Sequence, residues 1–485
     1  MSLLDPAIWS GRIFLDGWER GGAGEYPVVE PATGARLESL GAATPDDVRR
    51  ATERAADAQR AWAAVPYGER ASVLRGAAQI FGERSEEISG WLVREAGSVP
   101  GKAAFETASA ESICHEAAAL ASLPYGEVLR SSQPRLSLSR RLPVGVVGVI
   151  APFNVPIILS LRAVAPALAL GNAVVLKPDP RTAVSGGVVL ARVFEEAGLP
   201  AGLLSVLPGG VDVGEALVAD PRTRVIAFTG STRAGRAVGM LCAQHLKRAH
   251  LELGGNSALV ILDDVDLDRA ASVGAWGSFF HQGQVCMTSE RHLVASSVAE
   301  QYISLLAKHA DALPVGDPAT DHVALGPIID AGQRDKIHSI VTDTVAAGAR
   351  LVTGGTYEDL FYRPTVLADV PTTSRAYTEE IFGPVAPVVT FDTLDEAASL
   401  AADTPYGLSL GILTADVTKA LALAERIPSG AVHINDQTIN DEMVNPFGGV
   451  GDSGFGRIGG PEANLESFTE VQWVTIRGEL ARYPF

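Results

Sequence analysis

From Thr44 the segment TPDDVRRATERAADAQRAWAAV sets Val48, Ala51, Ala55, Ala58 and Trp62 at helical spacing. A threonine cap, a proline at the first helical position and two acids in the first turn precede that stripe, so an amphipathic helix is predicted. Helical spacing continues through Glu69–Glu95 and Lys102–Ala121. The chain then turns polar in SLPYGEVLRSSQPRLSLSRR, where Leu136 alternates with Leu138, the mark of an inserted two-stranded excursion. Beyond it, the short apolar runs VGVVGVI, AVVLKP, LLSVL, RVIAFTG and SALVIL are separated by helical stretches such as Val188–Ala197. Fully apolar runs of strand length alternating with helices predict a parallel sheet covered by helices.

The pattern restarts around Gly254–Gly255. Helical stretches over Leu267–Phe280, Gln301–His309, Gln333–Ala347 and Val417–Arg426 then alternate with the strand-like runs APVVTF and LSLGILT. Two α/β domains joined near Leu253 are therefore expected. The tail SFTEVQWVTIRGELARYPF reads as a strand without an obvious hairpin neighbour, so pairing elsewhere, with another subunit included, is expected of it. Residues Leu142 to Leu161 carry no charge, but Pro143, Pro152, Pro156 and Asn154 break any single membrane-spanning helix there. A buried strand followed by a turn fits better.

Composition narrows the class. The 485 residues are 47% hydrophobic and 20% charged, enough for large cores, and the length exceeds one ordinary core. With 39 Lys plus Arg against 57 Asp plus Glu, the net charge of −18 disfavours nucleic acid and anionic membranes as partners. Cys114, Cys242 and Cys286 are too few and too scattered for a disulfide framework or a zinc site, and no metal is expected. The first residues lack the basic start and apolar run of a signal peptide, so the expected location is the reducing cytoplasm.

Four places carry candidate chemistry. Cys286, in GQVCMTSER, lies in a loop beside glycine and polar residues, where a thiol can be a nucleophile; the plain alternative is a small buried hydrophobe, the reading that suits Cys114 and Cys242. Glu252, in HLELGGNS, comes at a strand end before two glycines, where a carboxylate can emerge into a cleft as a general base or simply be a surface charge. Asn154, in APFNVPI, is a lone amide in an apolar run, able to donate to an oxyanion or to tie down its own loop. FTGSTRAG puts glycine at a strand-to-helix junction, where backbone N–H groups suit a pyrophosphate.

Together, PFNVP, LKP, FTGS, ELGGN, GQVC, EEIFGPV and PFGGVGDSG follow one another in the order found in the aldehyde dehydrogenase superfamily, and the chain resembles that family along almost its whole length. The resemblance implies Cys286 as nucleophile, Glu252 as general base and Asn154 as oxyanion donor. It also implies cofactor contacts by Lys177, Pro180, Gly230, Ser231, Gly254, Glu380 and Phe382. An α/β fold follows, with a Rossmann-like nucleotide domain (1–126 and 142–253), an α/β catalytic domain (254–465) and a small β oligomerisation element (127–141 and 466–485). A homodimer or homotetramer is implied. Two departures stand out: Phe153 where many members have tryptophan, and Lys177-Pro178-Asp179-Pro180 where NAD-preferring members carry glutamate at the last position. KPDPRTAVSGG is similar to the benzaldehyde and vanillin dehydrogenase branch, which implies an aromatic aldehyde as substrate. Phe153, Val285, Met287 and Phe447 are then the expected apolar contacts to its ring. NAD is the implied cofactor, with NADP also accepted because proline can neither bind a ribose hydroxyl nor repel a 2′-phosphate. Glu252 favours hydrolysis of a thioester over transfer to coenzyme A. A CoA-acylating semialdehyde dehydrogenase and a catalytically silent relative are the alternatives.

Overall fold

The structure, a computed structural model, describes residues 2–485. Its first sheet runs Trp18–Arg20, Arg12–Phe14, Leu204–Val206, Ala173–Lys177, Val146–Ile150, Thr223–Thr229, Arg248–Glu252 and Gly454–Phe455. The five central strands are parallel, and counted along the chain their order is 3-2-1-4-5, the doubly wound arrangement. Val146–Ile150 is buried along its whole length because helices cover both faces, which is why these strands are apolar throughout and do not alternate.

The chargeless run resolves into that strand, a turn holding Asn154, and the helix Pro156–Ala169. No helix among the described residues is long and apolar enough to cross a membrane. The helix expected from Thr44 spans Pro45–Ala64 and opens on a reciprocal capping box with Asp47. Where one helix was expected over Glu69–Glu95 there are two, Tyr67–Glu83 and Ser85–Ala96, because Arg84 leaves helical geometry at φ −108°, ψ 15°. Both helices bury one face, so the apolar spacing carries across the break.

The second sheet runs Arg350–Thr353, Thr365–Ala368, Val385–Phe391, Ser289–Ala295, Ser257–Ile261, Ser409–Leu413 and Ala431–Ile434, parallel except for its first pair. Gly254 and Gly255 link the two sheets, between Glu252 and Ser257. A Cβ on Gly255 would lie 2.5 Å from the Cys286 carbonyl oxygen, so only glycine lets this joint pass the cysteine loop.

The tail strand Thr469–Ile476 pairs antiparallel with Leu136–Pro143 of its own chain, and Gly126–Leu129 completes this third sheet. The tail thus pairs far from its own neighbourhood, with the excursion, as the shared oligomerisation element implies. Near its end the chain also returns to the first sheet. Gly454–Phe455 is an edge strand of the first sheet, and Ile458 packs into that sheet's core. The range 254–465 therefore does not fold around the second sheet alone.

Candidate functional site

Glu252 is the last residue of its parallel strand and Asn154 lies in the turn after Val146–Ile150, so both sit at the carboxyl ends of first-sheet strands. Cys286 comes from the other sheet, on the loop before Ser289–Ala295. That loop is held in an unusual course: His281 and Gln282 have φ of 49° and 56°. Gln282 Nε2 donates to the carbonyls of Gly97 and Pro327, each at 3.0 Å, and Thr288 Oγ1 donates to Val285 at 2.6 Å. Asn154 joins the two sheets directly, its Nδ2 donating to the Gln284 carbonyl at 2.8 Å. The other Nδ2 hydrogen is free for a substrate oxygen.

Burial dominates the electrostatics. The Cys286 thiol is pushed up to about 12, first by burial, then by the charges of Glu380 and Glu252, with Arg162 opposing. Glu252 is raised to about 8 by burial, against Arg162 and Arg457, and neither of its carboxylate oxygens has a protein partner. With its titration raised this far, the carboxyl is mostly protonated at neutral pH, and only its ionised fraction can take a proton. Cys114 and Cys242 are buried and free; burial raises Cys242 to about 11 and Cys114 further.

A cavity of about 780 Å³ opens onto Cys286. Its wall is built largely from two helix faces: Val155, Ile158, Leu159 and Arg162, and Ser272, Ala275, Trp276 and Phe279. Spacings of three and four residues put each set on one side of a helix. Val285, Met287 and Phe447 line it as expected. Phe153 does not: its ring packs edge-on against Phe382, centroids 5.9 Å apart, and lies under the Arg181 guanidinium at 4.2 Å. The turn aims Phe153 away from the cavity although its neighbour Asn154 faces it. Arg162, which follows directly on the chargeless run, is buried, pairs with Asp441 and stacks on Phe447 at 4.6 Å.

The remaining expected residues lie outside the cavity lining. Glu380 accepts from Gly255 N at 3.0 Å, and a Cβ on Gly254 would meet its carboxylate at 2.4 Å. Burial raises the Glu380 carboxyl. Phe382, at φ 57°, is held by Glu290, which accepts from the backbone N–H groups of Ile381 and Phe382 at 2.9 and 2.8 Å. Gly230 precedes Ser231, which caps the helix Thr232–Gln244. Lys177 ends the strand Ala173–Lys177, and its ammonium is pushed down by burial, with Asp179 opposing. Pro180 begins a single turn of 3₁₀ helix capped by Asp179. Arg181 is bound by Asp179 and by Asp330 at 2.6 Å, so it is not free to meet a phosphate.

A half-buried lysine, a carboxylate beside a glycine and a helix start just after Gly230 suit a dinucleotide's ribose and pyrophosphate groups. Among the described residues, no group of three or more potential ligands could hold a metal ion.

The sequence profile of the aldehyde dehydrogenase family matches residues 18–474. Vanillin dehydrogenase of Amycolatopsis sp. is 64% identical over 486 aligned residues, covering 100% of both chains. The NAD(+) benzaldehyde dehydrogenase of Pseudomonas putida is 48% identical, covering 99% of each. The crystal structure of a salicylaldehyde dehydrogenase from Pseudomonas putida G7, complexed with salicylaldehyde, superposes with a TM-score of 0.94 at 33% identity, covering 98% of this chain and 99% of that one.

Proposed function

The chain belongs to the aldehyde dehydrogenase family, and from that premise we propose that it oxidises an aromatic aldehyde of the benzaldehyde or vanillin type to the carboxylic acid. The observation that carries the substrate class is the cavity at Cys286, whose walls include Trp276, Phe279, Phe280 and Phe447. A planar ring gains burial and aromatic contact there that a two-carbon chain does not.

In this reading the Cys286 thiol first gives its proton to solvent, and the thiolate Sγ adds to the aldehyde carbon while the developing oxyanion accepts from the Asn154 side chain and the Cys286 backbone N–H. Arg162 favours the ionised thiol by its charge. A bound nicotinamide dinucleotide supplies the hydride acceptor; Lys177, Gly230, Ser231, Gly254, Glu380 and Phe382 are the residues suited to hold it. Once hydride has left the carbon, the group on Cys286 is a thioester. Glu252 then takes a proton from water, the hydroxide adds to the thioester carbon, and the Cys286 thiolate leaves.

NAD is the preferred cofactor in this proposal, with NADP accepted. Two further readings belong here. On the third sheet Val471 and Trp473 are exposed on one face and Val128 and Ile476 on the other, apolar side chains that support a homodimer or homotetramer. Three free cysteines suit a reducing cytoplasm.

Turnover followed at the reduced-nicotinamide absorbance band tests the substrate class. Benzaldehyde and vanillin should exceed acetaldehyde in kcat/KM on the order of a hundredfold, from the apolar area buried. A preference for acetaldehyde or for a charged semialdehyde refutes it.

A further inference from the structure

The helix Pro100–Leu120 brings a lysine and a glutamate, one turn apart, against the Asn154 turn. Lys102 and Glu106 are both buried, at 3% and 0% exposure. The Lys102 ammonium donates to Glu106 and also to the Asn154 backbone carbonyl, the latter at 2.9 Å. Glu106 uses its other oxygen to accept from Ile157 N at 2.8 Å and Ile158 N at 3.4 Å, the first N–H groups of the helix that follows Asn154. One buried ion pair therefore grips the backbone on both sides of the Val155–Pro156 step. On its third side Asn154 is fixed through its own Nδ2 by the Gln284 carbonyl, two residues before Cys286.

A buried ion pair is an expensive way to stabilise a fold, since apolar residues of similar volume do as well or better. What it supplies is geometry: charge-assisted hydrogen bonds fix a carbonyl and a helix start more tightly than packing alone. Those two anchors set where the Asn154 side chain stands relative to Cys286.

We infer that Lys102 and Glu106 are positioning residues that hold Asn154 where its free N–H meets the oxyanion formed at Cys286. This rests on the assignment of Asn154 as oxyanion donor, and the test separates the two claims. The readout is the rate of the first hydride transfer in a rapid-mixing experiment with benzaldehyde and saturating NAD, alongside NAD affinity and thermal melting. The double variant Lys102→Met/Glu106→Gln removes both charges together and leaves no lone buried ion. It should fold, bind NAD as the parent does, and transfer hydride about tenfold more slowly, the scale of a modest misplacement. Asn154→Ala should lose about a hundredfold. Added to Asn154→Ala, the double variant should cost less than about twofold more, because positioning acts through a side chain already gone. Lys102→Gln/Glu106→Gln, which keeps an N–H for the Asn154 carbonyl, should recover the rate to within about threefold of the parent.

A parental rate in the double variant, with Asn154→Ala slow, overturns the positioning role and leaves the donor assignment standing. A loss that adds in full to that of Asn154→Ala also overturns it. A parental rate in Asn154→Ala overturns the donor assignment and the inference with it. Should the double variant fail to fold, Glu106→Gln alone decides. It leaves Lys102 without its charged partner, and an undiminished hydride rate in it refutes the inference.

Discussion

In the proposed mechanism the raised carboxyl of Glu252 makes the second half of the reaction depend on pH. With its titration at about 8, only about one molecule in ten carries the ionised base at pH 7 and about nine in ten at pH 9. Thioester hydrolysis should therefore accelerate about tenfold between pH 7 and pH 9 and level off above. The acyl enzyme should accumulate at pH 6, where about one base in a hundred is ionised. Acid quenching followed by mass spectrometry of the Cys286 peptide measures that accumulation whichever step limits turnover. In Glu252→Gln the first hydride transfer should persist while the acyl enzyme builds up at every pH, since an amide takes no proton from water. The same shift fixes a stability effect. A carboxyl titrating above its unfolded value of about 4.5 leaves the folded state relatively destabilised as pH rises through about 8. Glu252→Gln should consequently melt higher than the parent at pH 9 and show little difference at pH 4. Hydrolysis that is flat from pH 6 to 9, or that survives in Glu252→Gln, refutes the assignment of this base.

Three more outcomes follow from the same geometry. Cys286→Ala should abolish turnover and retain nucleotide binding, whereas Cys114→Ala and Cys242→Ala should stay active, as steady-state assays and NAD titration will tell. Gly254→Ala forces a methyl against the Glu380 carboxylate at 2.4 Å, so KM for NAD should rise about tenfold with the melting temperature within a few degrees of the parent. Pro180→Glu places an acid beside the proposed ribose site, where Asp179 is already spent on Arg181, and should raise KM for NADP about tenfold while leaving NAD within about threefold; a parent enzyme that already rejects NADP by orders of magnitude contradicts that reading of Pro180.

Much of the molecule is legible in the sequence, and what is not has identifiable physical causes. The Thr44 cap, the apolar parallel strands and the change of pattern at Gly254–Gly255 are local signals, and each lies where the sequence located it. Strand order is not local: nothing in VGVVGVI says that its neighbours are Ala173–Lys177 and Thr223–Thr229. Two-residue edge strands such as Gly454–Phe455 are too short for any periodicity, so the return of the chain to the first sheet was invisible. Phe153 failed for a related reason. In a proline-bounded turn there is no repeat to say which of two adjacent side chains faces a cavity.

Arg162 is the instructive omission, because its signal was present. Pro156 starts a helix, and from Val155 the offsets of three, four and seven residues fall on Ile158, Leu159 and Arg162. That stripe is the one facing the cavity, so a charge at its end had to be buried next to the reacting groups or be paired. The structure does both: Asp441 takes the guanidinium, and the remaining field bears on Glu252 and Cys286, opposing the burial that raises each. Lys102 and Glu106 obey the same logic four residues apart on their own helix, where an isolated reading makes them a solvated pair. In both cases the type of residue was visible and its burial was not, because burial depends on which helix faces the two sheets bring together.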